Sequence, residues 1–239
     1  MRYFELTCTA YLKRDIDFLE SFEKIARFIN FCMVKDTSLK TIHESRGFKY
    51  YVFGGLLPIE KDKLYKKGST YTFAIRTIDE NIANKLFDNL RENINNPNLQ
   101  VIQTSKKTIK RFFINELYSA TPVIATTAEG IFWTMDKDGD ILKLQRLLHD
   151  NLEKKYQSFY GKNLNPTQNF IQLLELKNQK PQTIRLTKNG KTIRFFGNKF
   201  RIVPNEDEIS QKLAFLVLGA GLGEKNSFGG GFCLRREIR

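Results

Sequence analysis

The chain has 239 residues, and its 39 Lys and Arg against 26 Asp and Glu give a net charge of +13. Such a surplus favours a polyanionic partner, of which nucleic acid is the commonest. No apolar run is long enough for a membrane-spanning helix, and the basic residues do not form one amphipathic stripe, so we expect no membrane partner. The length suits two domains.

The cysteines and the N-terminus bear on the compartment. Cys8, Cys32 and Cys233 are odd in number and scattered, which fits neither a disulfide framework nor a zinc site. The first fifteen residues, MRYFELTCTAYLKRD, lack the apolar core of a signal peptide. We therefore expect a reduced, cytoplasmic protein.

The first half of the chain predicts one ferredoxin-like unit. Apolar residues alternate in strand fashion from the start, and helical spacing follows. Strands are predicted over 2–12, 48–57, 69–77 and 99–104, with helices over 15–34 and 79–93. The order is β-α-β-β-α-β, which defines a ferredoxin-like unit.

The second half predicts the same order again. Extended segments are predicted over 121–127, 130–135, 170–177, 182–186, 193–203 and 231–238, with helices over 142–160 and 205–218. The fold class is therefore α+β, with two tandem ferredoxin-like domains. We expect the domains to span residues 1–118 and 119–239, with the boundary near 115–125.

The densest cluster of glycines lies near the end of the chain, in GAGLGEKNSFGGG. A dinucleotide-binding turn is excluded because the third glycine of G-x-G-x-x-G is replaced by Glu224 or Asn226, and no P-loop Gly-Lys-Ser/Thr occurs. The amides of such a loop could receive RNA phosphates. The alternative is a long connection whose glycines serve only as caps. The candidate RNA-binding residues are Gly221, Gly223, Lys225, Asn226, Ser227, Gly229 and Gly231.

GLGEKNSFGGG, supported by IHESRGFK and FYGKNLN, resembles the glycine-rich signature of the CRISPR repeat-processing endoribonucleases of the RAMP superfamily. The resemblance spans nearly the whole chain and implies RRM-like tandem ferredoxin-like domains, with this loop between the last helix and last strand. It also implies that the protein cuts CRISPR precursor RNA within each repeat. The alternative is a non-catalytic RAMP-type RNA-binding subunit of an interference complex, and a weaker one is a general basic RNA-binding protein.

Two histidines, His43 and His149, are available for proton transfer near neutral pH. His149 lies in a periodic helical segment, which favours a structural role, whereas His43 lies in a polar connection among basic residues. The residues alone leave the role of His43 open.

The resemblance assigns catalytic roles to His43 and to Lys49, because many of these enzymes carry a histidine just after the first helix and a lysine shortly beyond it. Arg46 is a supporting candidate. Some members also place a tyrosine on the first helix. That helix has no tyrosine here, so its role is either absent or supplied by Tyr50 or Tyr51.

We expect chemistry without a metal or another cofactor: the RNA 2′-OH would attack the adjacent phosphate and leave a 2′,3′-cyclic phosphate (or 3′-phosphate) and a 5′-OH. Asp136, Asp138 and Asp140 alternate like the start of a calcium loop, but Gly139 is misplaced and the final Glu is missing.

Basic residues on both halves are candidate contacts to the RNA backbone. They are Lys106, Lys107, Lys110, Arg111, Arg185, Lys188, Lys191, Arg194, Lys199 and Arg201. The expected partner is a CRISPR repeat RNA, bound by a monomer or homodimer.

Overall fold

The computed structural model describes residues 1–188 and 190–236. The first domain contains β1 (Arg2–Leu12), β2 (Ile16–Asp17), α1 (Phe18–Val34), α2 (Thr37–Glu44), β3 (Tyr51–Phe53), β4 (Leu64–Tyr65), β5 (Thr70–Thr77), α3 (Glu80–Glu92) and β6 (Leu99–Lys110). Its sheet has the strand order β3-β5-β1-β6, with every pairing antiparallel, and β2 and β4 form a separate small ribbon.

Local sequence explains the elements of the first domain. Leu6, Cys8 and Ala10 alternate along β1 and are fully buried, as a strand with one covered face requires. The helix α1 begins after Asp17, whose carboxylate accepts a hydrogen bond from Leu19 N at 2.8 Å. Buried residues of β1, α1 and α3 form one core.

The second domain repeats the order β12-β7-β11-β8. Its elements are β7 (Leu117–Ser119), α4 (Ile141–Tyr160), β8 (Ile171–Leu176), β9 (Gln182–Lys188), β10 (Lys191–Gly197), β11 (Phe200–Pro204), α5 (Glu208–Ala220), a 3₁₀ turn (Asn226–Phe228) and β12 (Cys233–Arg235). The hairpin β9–β10 is inserted between β8 and β11. The predicted fold class, two tandem ferredoxin-like domains, is confirmed.

Several predicted strands were wrong in detail. Residues 121–127 and 130–135 make only isolated bridges, and the three-residue β7 supplies the first strand instead. The predicted strand 193–203 divides near Asn198 into β10 and β11, which belong to different sheets. The last predicted strand is observed as β12, and residues 237–239 lie outside the described part. We propose a domain boundary between Lys110 and Leu117, because a division at 118/119 would cut β7.

The two domains are joined by buried polar contacts. The Arg76 guanidinium donates to Glu5 Oε2 at 2.6 Å and to the Cys233 carbonyl of β12 at 2.7 Å. The hairpin β9–β10 also packs on α1, where the buried Glu23 carboxylate accepts from Thr187 N at 3.0 Å. Within the described residues, no helix combines the length and the apolar character needed to cross a membrane.

Candidate active site

A cavity of about 650 Å³ lies between the two domains and is called the interdomain cavity here. Its walls come from residues 46–51 of the first domain, one face of α4, and residues 223–228 of the glycine-rich loop (residues 221–231). Predicted site residues on its wall are Arg46, Lys49, Tyr50, Tyr51, Gly223, Lys225, Asn226 and Ser227. The fold therefore brings the predicted catalytic segment and the tip of the loop to one place.

His43 lies in the last turn of α2, so its predicted position in a loop was wrong. It is partly exposed and is not among the lining residues of the interdomain cavity, although its carbonyl accepts from Lys49, which is. Partial burial, reinforced by the Lys49 ammonium, lowers the imidazole pKa below its usual 6.5. The imidazole is therefore mostly neutral at neutral pH and can accept a proton.

Lys49 holds the end of the helix that carries His43. Its ammonium donates to the carbonyls of Ile42 at 2.7 Å and His43 at 2.8 Å, and also to the Ser45 carbonyl. These are carbonyls that a helix C-terminus leaves without partners. Burial lowers the pKa of Lys49. Because the ammonium is already engaged, Lys49 is better suited to positioning His43 than to contacting a phosphate.

Arg46, three residues after His43, carries a cation that stays available. It is exposed on the wall of the interdomain cavity, and no ion pair or hydrogen bond engages its side chain within the described residues. A free guanidinium in this place can bind phosphate oxygens in a bidentate manner.

The two candidate tyrosines differ in accessibility. The Tyr50 hydroxyl lies 2.7 Å from Ser158 Oγ of α4, and its ring packs on Phe159 with centroids 5.0 Å apart. The Tyr51 ring is fully buried, its hydroxyl donates to Asn30 Oδ1 at 3.4 Å, and burial raises its pKa. The Tyr50 hydroxyl lies at the junction with α4, whereas the Tyr51 hydroxyl is buried and bonded to Asn30. We therefore do not place Tyr51 in proton transfer.

The glycines of the loop are buried against the rest of the protein, contrary to an exposed phosphate-binding backbone. At Gly229, with φ +89°, an added Cβ would lie 2.5 Å from the Phe22 ring, and at Gly231 it would lie 1.9 Å from the Leu222 carbonyl oxygen. The amide of Gly231 donates to Pro122 O at 2.8 Å. Gly221 and Gly223 also have positive φ and are closely packed. The glycines thus serve close packing, and residues 224–228 at the tip are the part of the loop that keeps partial exposure.

At the tip, the Asn226 side chain bonds to other parts of the loop: its amide nitrogen donates to Leu222 O at 3.2 Å and to Gly230 O at 2.9 Å. Lys225 has a left-handed backbone, lies 3.7 Å from Glu224 Oε2 and sits over the Phe195 ring. Ser227 is on the cavity wall. Lys225 and Ser227 remain the loop side chains best placed to contact RNA.

Sequence reasoning missed Lys155 of α4. Its side chain is buried, yet its ammonium donates to Gly221 O at 2.9 Å, Gly223 O at 2.7 Å and Asn226 Oδ1 at 2.7 Å. Asn151, Lys155 and Ser158 recur at the spacing of one helix face and line the interdomain cavity. In the sequence Lys155 follows another lysine within a charged helix, so no signal marked it as buried.

The basic residues predicted to contact the RNA backbone differ in whether protein groups already engage their side chains. Arg201 pairs with Glu116 at 2.7 Å and Glu175 at 3.1 Å, which raises its pKa and makes it a poor RNA contact. Lys106 donates to Asn84 at 2.7 Å and Arg111 lies 3.8 Å from Glu208. The others lie on β6 (Lys107 and Lys110), on the hairpin β9–β10 (Arg185, Lys188, Lys191 and Arg194) and beside β11 (Lys199, whose pKa is lowered by burial).

His149 is structural, in agreement with the sequence interpretation. Its Nδ1 accepts from Phe170 N at 3.1 Å, and its ring stacks on Phe170. Across residues 1–188 and 190–236, no group of three His, Cys, Asp or Glu side chains is placed to hold a metal ion.

Comparisons with known proteins agree with this architecture. The family model described as CRISPR associated protein Cas6, C-terminal, matches residues 102–234. The CRISPR-associated endoribonuclease Cas6 2 of Methanocaldococcus jannaschii is 28% identical over 232 residues, covering 89% of this chain and 92% of the relative.

Solved structures share the fold over the same extent. A CRISPR associated protein Cas6 superposes with a TM-score of 0.69 at 20% identity, and a RAMP protein binding different RNA substrates with 0.68 at 18%. Each match covers 98% of this chain and 100% of the other. With more than half of its length matched by the family model, this chain belongs to the Cas6 family of CRISPR-associated proteins.

Proposed function

We propose that this protein is an endoribonuclease that cuts CRISPR precursor RNA within its repeats. The observation that carries the proposal is the interdomain cavity, where the segment following His43 meets the tip of the glycine-rich loop. The relative from Methanocaldococcus jannaschii is named as an endoribonuclease, which supports the same activity here.

The proposed reaction needs no metal. Neutral His43 takes the proton of the 2′-OH, the 2′-oxygen bonds to phosphorus, and the P–O5′ bond breaks as the 5′-oxygen takes a proton from water. His43 then returns its proton to the solvent. The products are a 2′,3′-cyclic phosphate and a 5′-OH. Arg46 balances the charge that develops on the phosphoryl oxygens, and Lys49 keeps His43 in place.

RNA would enter the interdomain cavity along its basic rim. Lys225 and Ser227 contact the RNA backbone near the cut. The Lys and Arg side chains of the hairpin β9–β10 contact the flanking phosphates. A folded repeat would be recognised by shape and phosphates, and its single-stranded flanks by stacking. Lys225→Ala should therefore weaken binding and reduce its salt dependence.

The experiment incubates wild-type protein with end-labelled repeat RNA in excess EDTA, beside the same RNA with a single 2′-deoxy nucleotide just upstream of the cut. We expect cleavage of the all-ribose RNA and none of the deoxy RNA, with similar affinity for both. Loss of cleavage in EDTA that Mg²⁺ restores would overturn the metal-independent mechanism. Cleavage of the deoxy RNA at the same bond would mean that water is the nucleophile.

The second candidate is a RAMP-type RNA-binding subunit without catalysis. One observation favours it: Lys49 completes the hydrogen bonding of α2, so a binding module also has a use for it. The pair His43 and Lys49 therefore does not by itself mark an enzyme, and the rate of a His43 variant has to decide.

A further inference from the structure

Lys155 has a buried amino group in the wall of the interdomain cavity, and burial lowers its pKa to about 7. Only 3% of the residue is exposed, and its ammonium has three acceptors at hydrogen-bonding distance, two carbonyls and one side-chain amide oxygen. An ammonium carries three N–H groups, so every donor is used. Burying a charge is unfavourable unless such partners replace water, which indicates that the surroundings are built around this side chain.

The three acceptors are distributed along the glycine-rich loop. Gly221 O lies where α5 ends, Gly223 O lies two residues further on, and Asn226 Oδ1 lies at the tip. Both glycines have positive φ, +80° and +67°, and in this conformation their carbonyls face one ammonium. Lys155 therefore connects α4 to the first limb of the loop and to its tip.

Asn226 extends this connection to the second limb. While its oxygen accepts from Lys155, its nitrogen donates to Leu222 O and Gly230 O. The ammonium thus fixes the orientation of an amide that ties both limbs together. Without the amino group, the carbonyls of Gly221 and Gly223 and the oxygen of Asn226 would lose a shared hydrogen-bond donor.

We propose that Lys155 is a positioning residue that holds the glycine-rich loop in the shape that closes the interdomain cavity. It acts through the loop, since its donors are all engaged by protein acceptors. Lys225 and Ser227 are thereby presented to the substrate. The consequence for RNA rests on the proposed function, whereas the consequence for the loop does not.

The test compares Lys155→Met, which keeps an apolar stem and removes the charge, with Lys154→Met, an exposed neighbour on the same helix. The first measurement is hydrogen exchange at three loop amides: Leu222 N donates to Gly231 O within the loop, whereas Glu224 N and Gly231 N donate to Ile124 O and Pro122 O outside it. We expect exchange at least about tenfold faster in Lys155→Met and unchanged in Lys154→Met. Equal exchange in all three proteins would overturn the proposal.

Repeat RNA supplies the second measurement. Lys155→Met should raise the Kd by about tenfold or more, as expected when a charged hydrogen-bond donor is lost. Wild-type affinity in a folded Lys155→Met variant would contradict the role in RNA binding.

A further variant keeps the test decisive if Lys155→Met does not fold. Asn226→Ala retains the ammonium and its two carbonyl partners but removes the link to the second limb. It should accelerate exchange at Gly231 and weaken RNA binding, and unchanged values would overturn the proposal. If the wild type neither binds nor cleaves repeat RNA, the proposed function fails, while loop exchange still decides whether Lys155 positions the loop.

Discussion

His43 and Lys49 carry distinct tasks in this structure. The sequence resemblance placed both in catalysis, but the hydrogen bonds of Lys49 end at the carbonyls of the helix that bears His43. We therefore propose that His43 transfers the proton and that Arg46, on the cavity wall, supplies positive charge to the phosphate. The roles of His43 and Lys49 can be tested by separate measurements.

The first prediction concerns pH. Burial lowers the pKa of His43 below 6.5, so the neutral base persists to lower pH than for an exposed histidine. The cleavage rate at subsaturating enzyme, which reports the groups of the free protein, should rise with pH to a plateau with a midpoint below 6.5, because protonated His43 cannot accept the 2′ proton. Rates measured from about pH 4.5 to 8, with NMR titration of the two histidines, provide the check. A midpoint at or above 6.5, or a rate that falls as pH rises through it, would contradict a base at His43.

The second prediction concerns the end of α2. Lys49→Ala removes a cation that bonds its last carbonyls, which should lower the free energy of unfolding by about 1 kcal/mol. Cleavage should slow less than in a variant without the imidazole. Lys40→Ala is the control, because Lys40 lies on the same helix in an exposed pair 3.9 Å from Glu44 and should cost less than about 0.5 kcal/mol. Urea unfolding compares the two, and equal effects would reject the capping role.

At the scale of elements, the glycine-rich loop shows why its composition is unusual. Gly229 faces Phe22 and Phe53 of the first domain, where the ring of Phe22 leaves no space for a methyl group. The loop thus packs between the two domains, and its tip is a candidate site of contact with RNA. Substitutions at its buried glycines would perturb folding before they report on RNA, so Lys225 is the better probe.

The third prediction tests this packing. Gly229→Ala should lower the free energy of unfolding by about 2–5 kcal/mol, since it combines a left-handed backbone with a Cβ clash. Gly68→Ala is matched, with φ +80° and no atom within 4 Å of the added Cβ, and should cost only about 1–2 kcal/mol. Chemical denaturation measures both. Equal losses would show that the contact with Phe22 is unimportant.

Long periodic elements could be predicted from the sequence, and short ones could not. The predicted helix 142–160 corresponds to α4, whereas α2 has eight residues and buries only Leu39, which is too weak a periodic signal. The strand β7 has three residues. Residues 121–127 are mostly buried because Ile124 packs in the core of the first domain and Val123 and Ala125 pack in that of the second. Such burial without strand pairing gives the same sequence pattern as a strand.

At the scale of the whole molecule, the candidate site exists only because the domains meet. Its walls combine residues 46–51, 151–158 and 223–228, which are far apart in sequence. The resemblance predicted the first and last of these segments. The face of α4 with Lys155 was not predictable, because which side of a charged helix is buried depends on the partner domain.

The fourth prediction concerns the union of the domains. Arg76→Met removes a buried guanidinium that bonds Glu5 and the Cys233 carbonyl and lies over the Phe232 ring. We expect a loss of about 2–4 kcal/mol in unfolding free energy and faster hydrogen exchange in both β5 and β12. Arg2→Met, which breaks an exposed pair with Glu80 at 2.7 Å, should cost at most about 1 kcal/mol. A loss confined to the first domain would contradict the coupling.

The central claim is that the protein is an endoribonuclease whose proton transfer depends on His43. The direct test is the single-turnover rate of repeat RNA cleavage at saturating enzyme for wild type and His43→Ala. General acid–base catalysis supplies about 10²–10⁴ in rate, so His43→Ala should be slower by that factor with nearly unchanged RNA affinity. His149→Ala, if folded, should stay within a few-fold of wild type, because His149 Nδ1 is engaged by the Phe170 amide within the second domain. Cleavage by His43→Ala at the wild-type rate would contradict the assignment of the site, and absence of cleavage by the wild type would favour the RNA-binding subunit.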